Sequence, residues 1–285
     1  MAQLYGRKWR VVAGAGGRQV EVTALRVAFK VEASHKPEPN GATIEIYNLS
    51  KDSRSRLSQD FERDLGAEFV EPVSATLEAG YDGAFPLIFQ GKIARVWHRR
   101  DGPDWTTTLE ADDGAHQLAA QRVQQAFGQG AQVEQVFRAV ANKLGVGVGN
   151  ALEQFKTGNF GRGISQFSEG IVVNGTGRDV LDQMMATAGL EYSVQNEALV
   201  VTRAGEPLPG QAVELAPETG LIGAPEPGEK GLLRCKALIR PGLGPARPVE
   251  LRTDAVSGSY RVQRVVYSGD SHGNDWYADL DLQRA

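Results

Sequence analysis

The chain has 285 residues, 31 Lys plus Arg against 35 Asp plus Glu for a formal charge of −4, and 41% hydrophobic residues. That size and apolar content fill cores for about two to three domains and exclude a disordered chain. A slightly acidic balance without a basic block argues against a bulk nucleic-acid binder, and no stretch approaches the ~18 apolar residues of a membrane span.

In chain order, the N-terminal run MAQLYGRKWRVVAGAGG lacks the apolar core of a secretory leader. GAGG at residues 14–17 follows an apolar strand, but QVEVTALRVAF comes next. A dinucleotide loop needs a third glycine and a helix there, so a hairpin turn is expected. From Gln19 to Ala111 the dominant period is two: Leu25, Val27, Phe29, Val31; Ala42, Ile44, Ile46; Val73, Ala75, Leu77, Ala79; Trp105, Thr107, Leu109, Ala111. These are half-buried antiparallel strands, separated by the turn sequences PEPNG, YDG and DGPD. Ser50 can cap one short helix, residues 51–65, in which Leu57, Phe61 and Leu65 are spaced by four.

After Asp112 the period changes. Asp112 and Asp113 precede GAHQLAAQ and suit a helix N-terminus. Val133, Val136, Phe137, Val140 and Leu144 make an amphipathic helix closed by Gly145, and GVGVGN lacks the Lys and Ser/Thr of a phosphate loop. Ile171 to Val173 reads as a short strand. Thr176 and Asp179 then open a second helix, with Leu181, Met184, Met185 and Ala188 as its stripe and Gly189 as its end. Tyr192 to Val194 and Leu199 to Thr202 form a hairpin across QNEA, and GEPLPG at 205–210 reads as a linker. The expected units are residues 1–121, a β domain; 122–204, a small α/β insert projecting from the surface; and 205–285, a second β domain. The fold class is mainly β with an α/β insert. Cys235 alternates with Leu233, Ala237 and Ile239, which predicts a buried strand residue rather than a reactive thiol. A lone cysteine makes no internal disulfide, so a reducing aqueous compartment is expected.

The two β regions repeat one another. IARVWHRRDGPDWTTTLEA at 93–111 matches VQRVVYSGDSHGNDWYADLDL at 262–282, with a turn longer by two residues in the second copy. Pro37, Glu38 and Pro39 precede one strand as Pro225, Glu226 and Pro227 precede another, and strands at 73–79 and 249–253 follow in the same order. The second copy lacks the helix. Retained at the hairpin tips are Gly102 and Gly273, Asp104 and Asp275, Trp105 and Trp276. These are turn and packing residues: glycine for backbone freedom, aspartate for turn N–H groups, tryptophan for the inward face of the returning strand. His272 has no histidine counterpart, and His35, His98, His116 and His272 show no metal or hydrolase spacing. The expected catalytic, metal and cofactor-binding sets are therefore empty. RVWHRR at 95–100 is too short for a nucleic-acid stacking platform.

The runs FKVEASHKPEPNGATIEIYNLS, ETGLIGAPEPGEKG with its following strand, and GSYRVQRVVYSGDSHGNDWYADLDL together resemble the baseplate hub proteins of contractile phage tails and related injection machines. The resemblance covers both β regions, about two-thirds of the chain. It implies two tail-tube-like antiparallel β-barrel domains flanking a small α/β domain, and a non-enzymatic homotrimer without cofactor. The implied partners are the tail tube or its initiator, the central spike and other baseplate proteins. DNA would only pass through the lumen, with no stable membrane association. The implied location is the virion baseplate after assembly in the host cytoplasm. Any lytic or piercing activity is expected from another chain. The alternatives are a peptidoglycan-binding or peptidoglycan-cleaving tail component and a carbohydrate-binding β-sandwich.

Overall fold

The computed structural model describes residues 6–66, 73–114, 118, 120–151 and 169–285. Alternation of apolar residues sets the strands of the first β region: β1 (Arg7–Gly14), β2 (Val20–Val22), β3 (Val27–Ser34), β4 (Gly41–Tyr47), β5 (Ser74–Tyr81), β6 (Leu87–Asp101) and β7 (Asp104–Asp112). In β4 the burial alternates residue by residue, with Ala42, Ile44 and Ile46 inside. Helix α1 (Lys51–Gly66) begins where expected, its Ser53 N–H donating to Ser50 Oγ at 3.1 Å, and Leu57 is buried in the β core. The side chains of Phe61, Leu65 and Ala188, and all of His116, lie outside the described residues.

The middle of the chain builds its own core. It contains β8 (Arg122–Phe127), α2 (Val133–Leu144), β9 (Ile171–Thr176), α3 (Gly177–Ala188), β10 (Leu190–Gln195) and β11 (Ala198–Arg203). Val136, Phe137, Val140 and Leu144 of α2 meet Leu181 and Met185 of α3 and Val194, Leu199 and Val201 of the hairpin. Gly145 and Gly189 end the two helices in the left-handed region, and Thr176 Oγ1 accepts from the Asp179 N–H at 3.2 Å. Asn196 and Glu197 both have positive φ, the geometry of a two-residue hairpin turn. Strand β8 was not foreseen, because RVQQAF carries little alternation. It is held by pairing with β9.

The second β region comprises β12 (Val213–Leu215), β13 (Leu221–Pro227), β14 (Leu233–Leu238), β15 (Pro248–Arg252), β16 (Ser257–Asp270) and β17 (Trp276–Arg284). It does not stand apart from the first. All strands of both regions form one 13-stranded sheet, ordered β13-β14-β17-β16-β3-β4-β7-β6-β5-β1-β2, with β15 beside β16 and β12 beside β15. No closed barrel is found among the described residues. Separate barrels were expected, and the length of β16 explains the difference. Its first part pairs with β15 and its last seven residues, from Arg264, pair with β3, so one strand serves both regions. A single apolar core results, running from Val11 to Leu282.

Candidate functional site

The repeat is visible in the hydrogen-bond register. In the first hairpin β6 pairs with β7 as Ile93↔Ala111, then skips Ala94 and resumes as Arg95↔Glu110. In the second β16 pairs with β17 as Val262↔Leu282, skips Gln263 and resumes as Arg264↔Asp281. The bulge thus falls at the same place in both copies and fixes the same inward set, Val96 with Leu109 and Val265 with Leu280. The strand orders β3-β4-β7-β6-β5 and β13-β14-β17-β16-β15 correspond one to one.

The tip residues occupy corresponding positions but different surroundings. Trp276 is 1% exposed. Its Nε1 donates to the Gly80 carbonyl at 3.1 Å, and its ring meets Phe29 edge-on with centroids 5.3 Å apart. It therefore packs the second region against the first. Trp105 was also expected to be largely buried; it is half-buried, less enclosed than Trp276, with the Arg54 guanidinium 4.1 Å from its ring centroid. Gly102 takes the left-handed region, whereas Gly273 does not. Asp104 accepts from Asn48 Nδ2 at 3.0 Å. The turn N–H of His272 is held by Asp270 rather than by Asp275, through Oδ1 at 2.9 Å. The Arg26 guanidinium, joined by that N–H and by Gly273's, keeps Asp270 below the usual carboxylate range. His272 is exposed and lies against Ser271 and Trp9.

Alternation could not reveal the buried polar seam between the β sheet and the middle unit, because its members lie far apart in sequence. His35 is 3% exposed, with Nδ1 3.0 Å from Ser193 Oγ and Nε2 2.9 Å from Thr202 Oγ1. Asn40 Nδ2 donates to Asp113 Oδ2 and to the Val194 carbonyl, each at 2.7 Å. Asp113, expected to precede a helix in GAHQLAAQ, is also a buried acceptor that ties the PEPNG turn to the end of β7, and Leu118 and Ala120 beyond it are helical. Arg261, 1% exposed, reaches Glu191 Oε2 at 2.7 Å and Gln283 Oε1 at 2.7 Å. The middle unit is therefore docked on the sheet by paired polar groups, although Arg261 Nε is buried there without a hydrogen-bond partner, and does not simply project from it.

Burial, reinforced by the Arg261 charge and opposed by Glu191, lowers the His35 pKa to about 4. The unfolded chain takes up this proton first. Stability contributed by neutral His35 is intact above about pH 6.5 and is lost progressively as pH falls toward about 4. Melting temperature measured across that window should drop on the acid side, and His35→Gln should flatten the profile. An equal slope in the variant would remove His35 as the cause.

Elsewhere His98 lies between two hydroxyls, its Nε2 2.8 Å from Ser58 Oγ and its Nδ1 3.0 Å from Thr107 Oγ1. The Cys235 thiol is buried and pushed up to about 12 by that burial. Among the described residues no group of three or more His, Cys, Asp or Glu side chains is placed to hold a metal ion. No helix among them is long and apolar enough to cross a membrane. The molecule presents two strand arrays of corresponding order, joined where β16 pairs with β3.

A sequence profile of the family described as "Baseplate hub gp41" matches residues 10–282. No curated protein sequence matches the chain. Among solved structures, the fold is similar to a 43 kDa tail protein of prophage MuSo2 from Shewanella oneidensis, at TM-score 0.61 and 12% identity over 96% of this chain and 98% of that one. It is similar to a tail protein from Neisseria meningitidis at TM-score 0.60 and 11% identity, over 98% of this chain and 96% of the other. It also resembles the E. coli c3393 protein, at TM-score 0.54 and 10% identity over 91% and 73% of the two chains. That protein is described as a type VI secretion component similar to the T4 tail proteins gp27 and gp5.

Proposed function

Because this chain belongs to the baseplate hub gp41 family, we propose that it is the structural, non-enzymatic hub of a phage tail, a homotrimer that adapts a sixfold tail tube to a threefold central spike. One observation carries the reading: the same strand order, with its bulge in the same register, occurs twice in one chain. Three such chains offer six similar positions to a sixfold partner and keep true threefold symmetry for another. The copies agree in their hairpins and differ in α1 and in turn length. Shared features would then meet the tube, and the differing ones the spike. In this reading residues 1–121 and 205–285 are the two tube-type units and 122–204 the insert between them. Gly102, Asp104, Trp105, Gly273 and Trp276 shape their hairpins, with Asp270 in the role expected of Asp275. The protein would assemble in the host cytoplasm and end in the virion baseplate. Native mass spectrometry or particle images of the chain with its tube and spike neighbours should show three copies in a closed ring. A persistent monomer or dimer with both neighbours present would sink the adapter.

A further inference from the structure

We propose that the outer edge of β6 over residues 95–101 is the docking surface for the β13 end of a second copy of this chain. The proposal rests on the hub reading and names its contact surfaces. Within the chain, residues 264–270 of β16 pair with β17 on one side and with β3 on the other, the ladder that joins the two regions. The common register makes 95–101 of β6 the counterpart of 264–270. It makes β13 the counterpart of β3, because Lys30 reaches Glu110 through Thr43 just as Glu226 reaches Asp281 through Arg234. Yet among the described residues 95–101 pair with β7 alone, and β13 pairs with β14 alone. Among the described residues there is thus one formed junction and both unfilled halves of another.

Exposure follows the same division. Val265, Val266 and Tyr267 are buried at the formed junction, while of their counterparts Val96 is half-buried and Trp97 is 37% exposed. Trp276 is buried against Phe29, whereas its counterpart Trp105 keeps part of its ring in solvent. Gly269 admits that contact, since a Cβ there would lie 2.3 Å from the Phe29 ring. Helix α1 does not use up the β6 edge. It occupies the connection between β4 and β5 as residues 239–247 occupy that between β14 and β15. Ser58 Oγ meets His98 Nε2 at 2.8 Å much as the Leu243 carbonyl receives the Tyr267 hydroxyl at 2.5 Å. Beneath that second cover β16 still pairs with β3.

Charge selects the occupant. Where the formed ladder sets Ser268 opposite Lys30, the transferred register sets exposed Arg99 opposite exposed Glu226, a favourable cross-strand pair. Pro225 and Pro227 cannot donate to a new ladder, so β13 is guarded against indiscriminate strand addition and its contact relies on side chains and carbonyls. A contact between two unlike surfaces repeats head to tail and closes into a ring when the rotation permits.

The test places cysteines at both surfaces, Arg99→Cys and Glu226→Cys, singly and together, with buried Cys235 left in place. In the presence of tube and spike proteins, mild oxidation of the double variant should give a covalent ladder ending at the copy number of the ring. A mixture of the two single variants should stop at dimer, and each alone should stay monomeric. Arg99→Glu should lose the ring, and Arg99→Glu with Glu226→Arg should restore it. If native mass spectrometry shows an intact ring that neither cross-links nor responds to charge reversal, the surface assignment is overturned while the hub reading stands. Failure of the unaltered chain to form a ring with its partners would overturn the hub reading, and this proposal with it.

Discussion

Trp276→Ala should lower stability by about 3–5 kcal/mol, the range for truncating a large aromatic in a packed core. Its ring is 1% exposed and touches Phe29 and Trp9, and its N–H satisfies the Gly80 carbonyl. Truncation therefore opens a cavity and leaves a buried acceptor without its donor. Because the partners belong to β1, β3 and β5, the loss falls on the attachment of the second β region to the first. Trp105→Ala at the corresponding position should cost less, about 1 kcal/mol, since the ring is only half-buried and is held by a cation–π contact. His272→Ala should be nearly silent, because its side chain is exposed. Chemical-denaturation midpoints of the three variants test this ranking. Equal losses for the two tryptophans, or the largest loss at His272, would refute the structural role assigned to the second hairpin.

Glu191→Ala should cost about 3 kcal/mol, the lower end of the range for removing one partner of a buried ion pair. The Arg261 side chain is 2% exposed and that of Glu191 40% exposed, at 2.7 Å. Removal of the carboxylate leaves an enclosed guanidinium supported only by amide and carbonyl oxygens. Solvent at Glu191 is what keeps the loss at the low end. The paired replacement Arg261→Met with Glu191→Leu should recover most of the stability, because removing both charges also removes their desolvation cost. A double variant as unstable as Glu191→Ala would show that the seam depends on shape rather than on charge.

The elements themselves were legible because their signals are local. Alternation located β3, β4, β5, β7 and the Cys235 strand, and the caps at Ser50, Thr176, Gly145 and Gly189 marked helix ends through bonds spanning only a few residues. The repeat was legible too, and its register holds to the single bulged residue, since strand pairing within a hairpin is set by the hairpin's own sequence. Asp275 was a local misreading: it and Asp270 both flank the same turn, and only geometry shows which carboxylate meets the N–H groups.

Composition and period determined that this is a mainly β chain, and the likeness of residues 93–111 to 262–282 pointed to the repeated hairpin. Only the tertiary structure decided that the two regions share one sheet and one core, that Trp276 is enclosed while Trp105 is not, and that His35, Asn40, Asp113 and Arg261 form a buried seam. The reason is physical. A strand's sequence specifies which face is apolar, but the partner on its hydrogen-bonding edge is chosen by backbone groups that every residue carries alike. The edge taken by β3 on β16, and the corresponding edge of β6, which among the described residues pairs with β7 alone, were therefore invisible until the chain had folded.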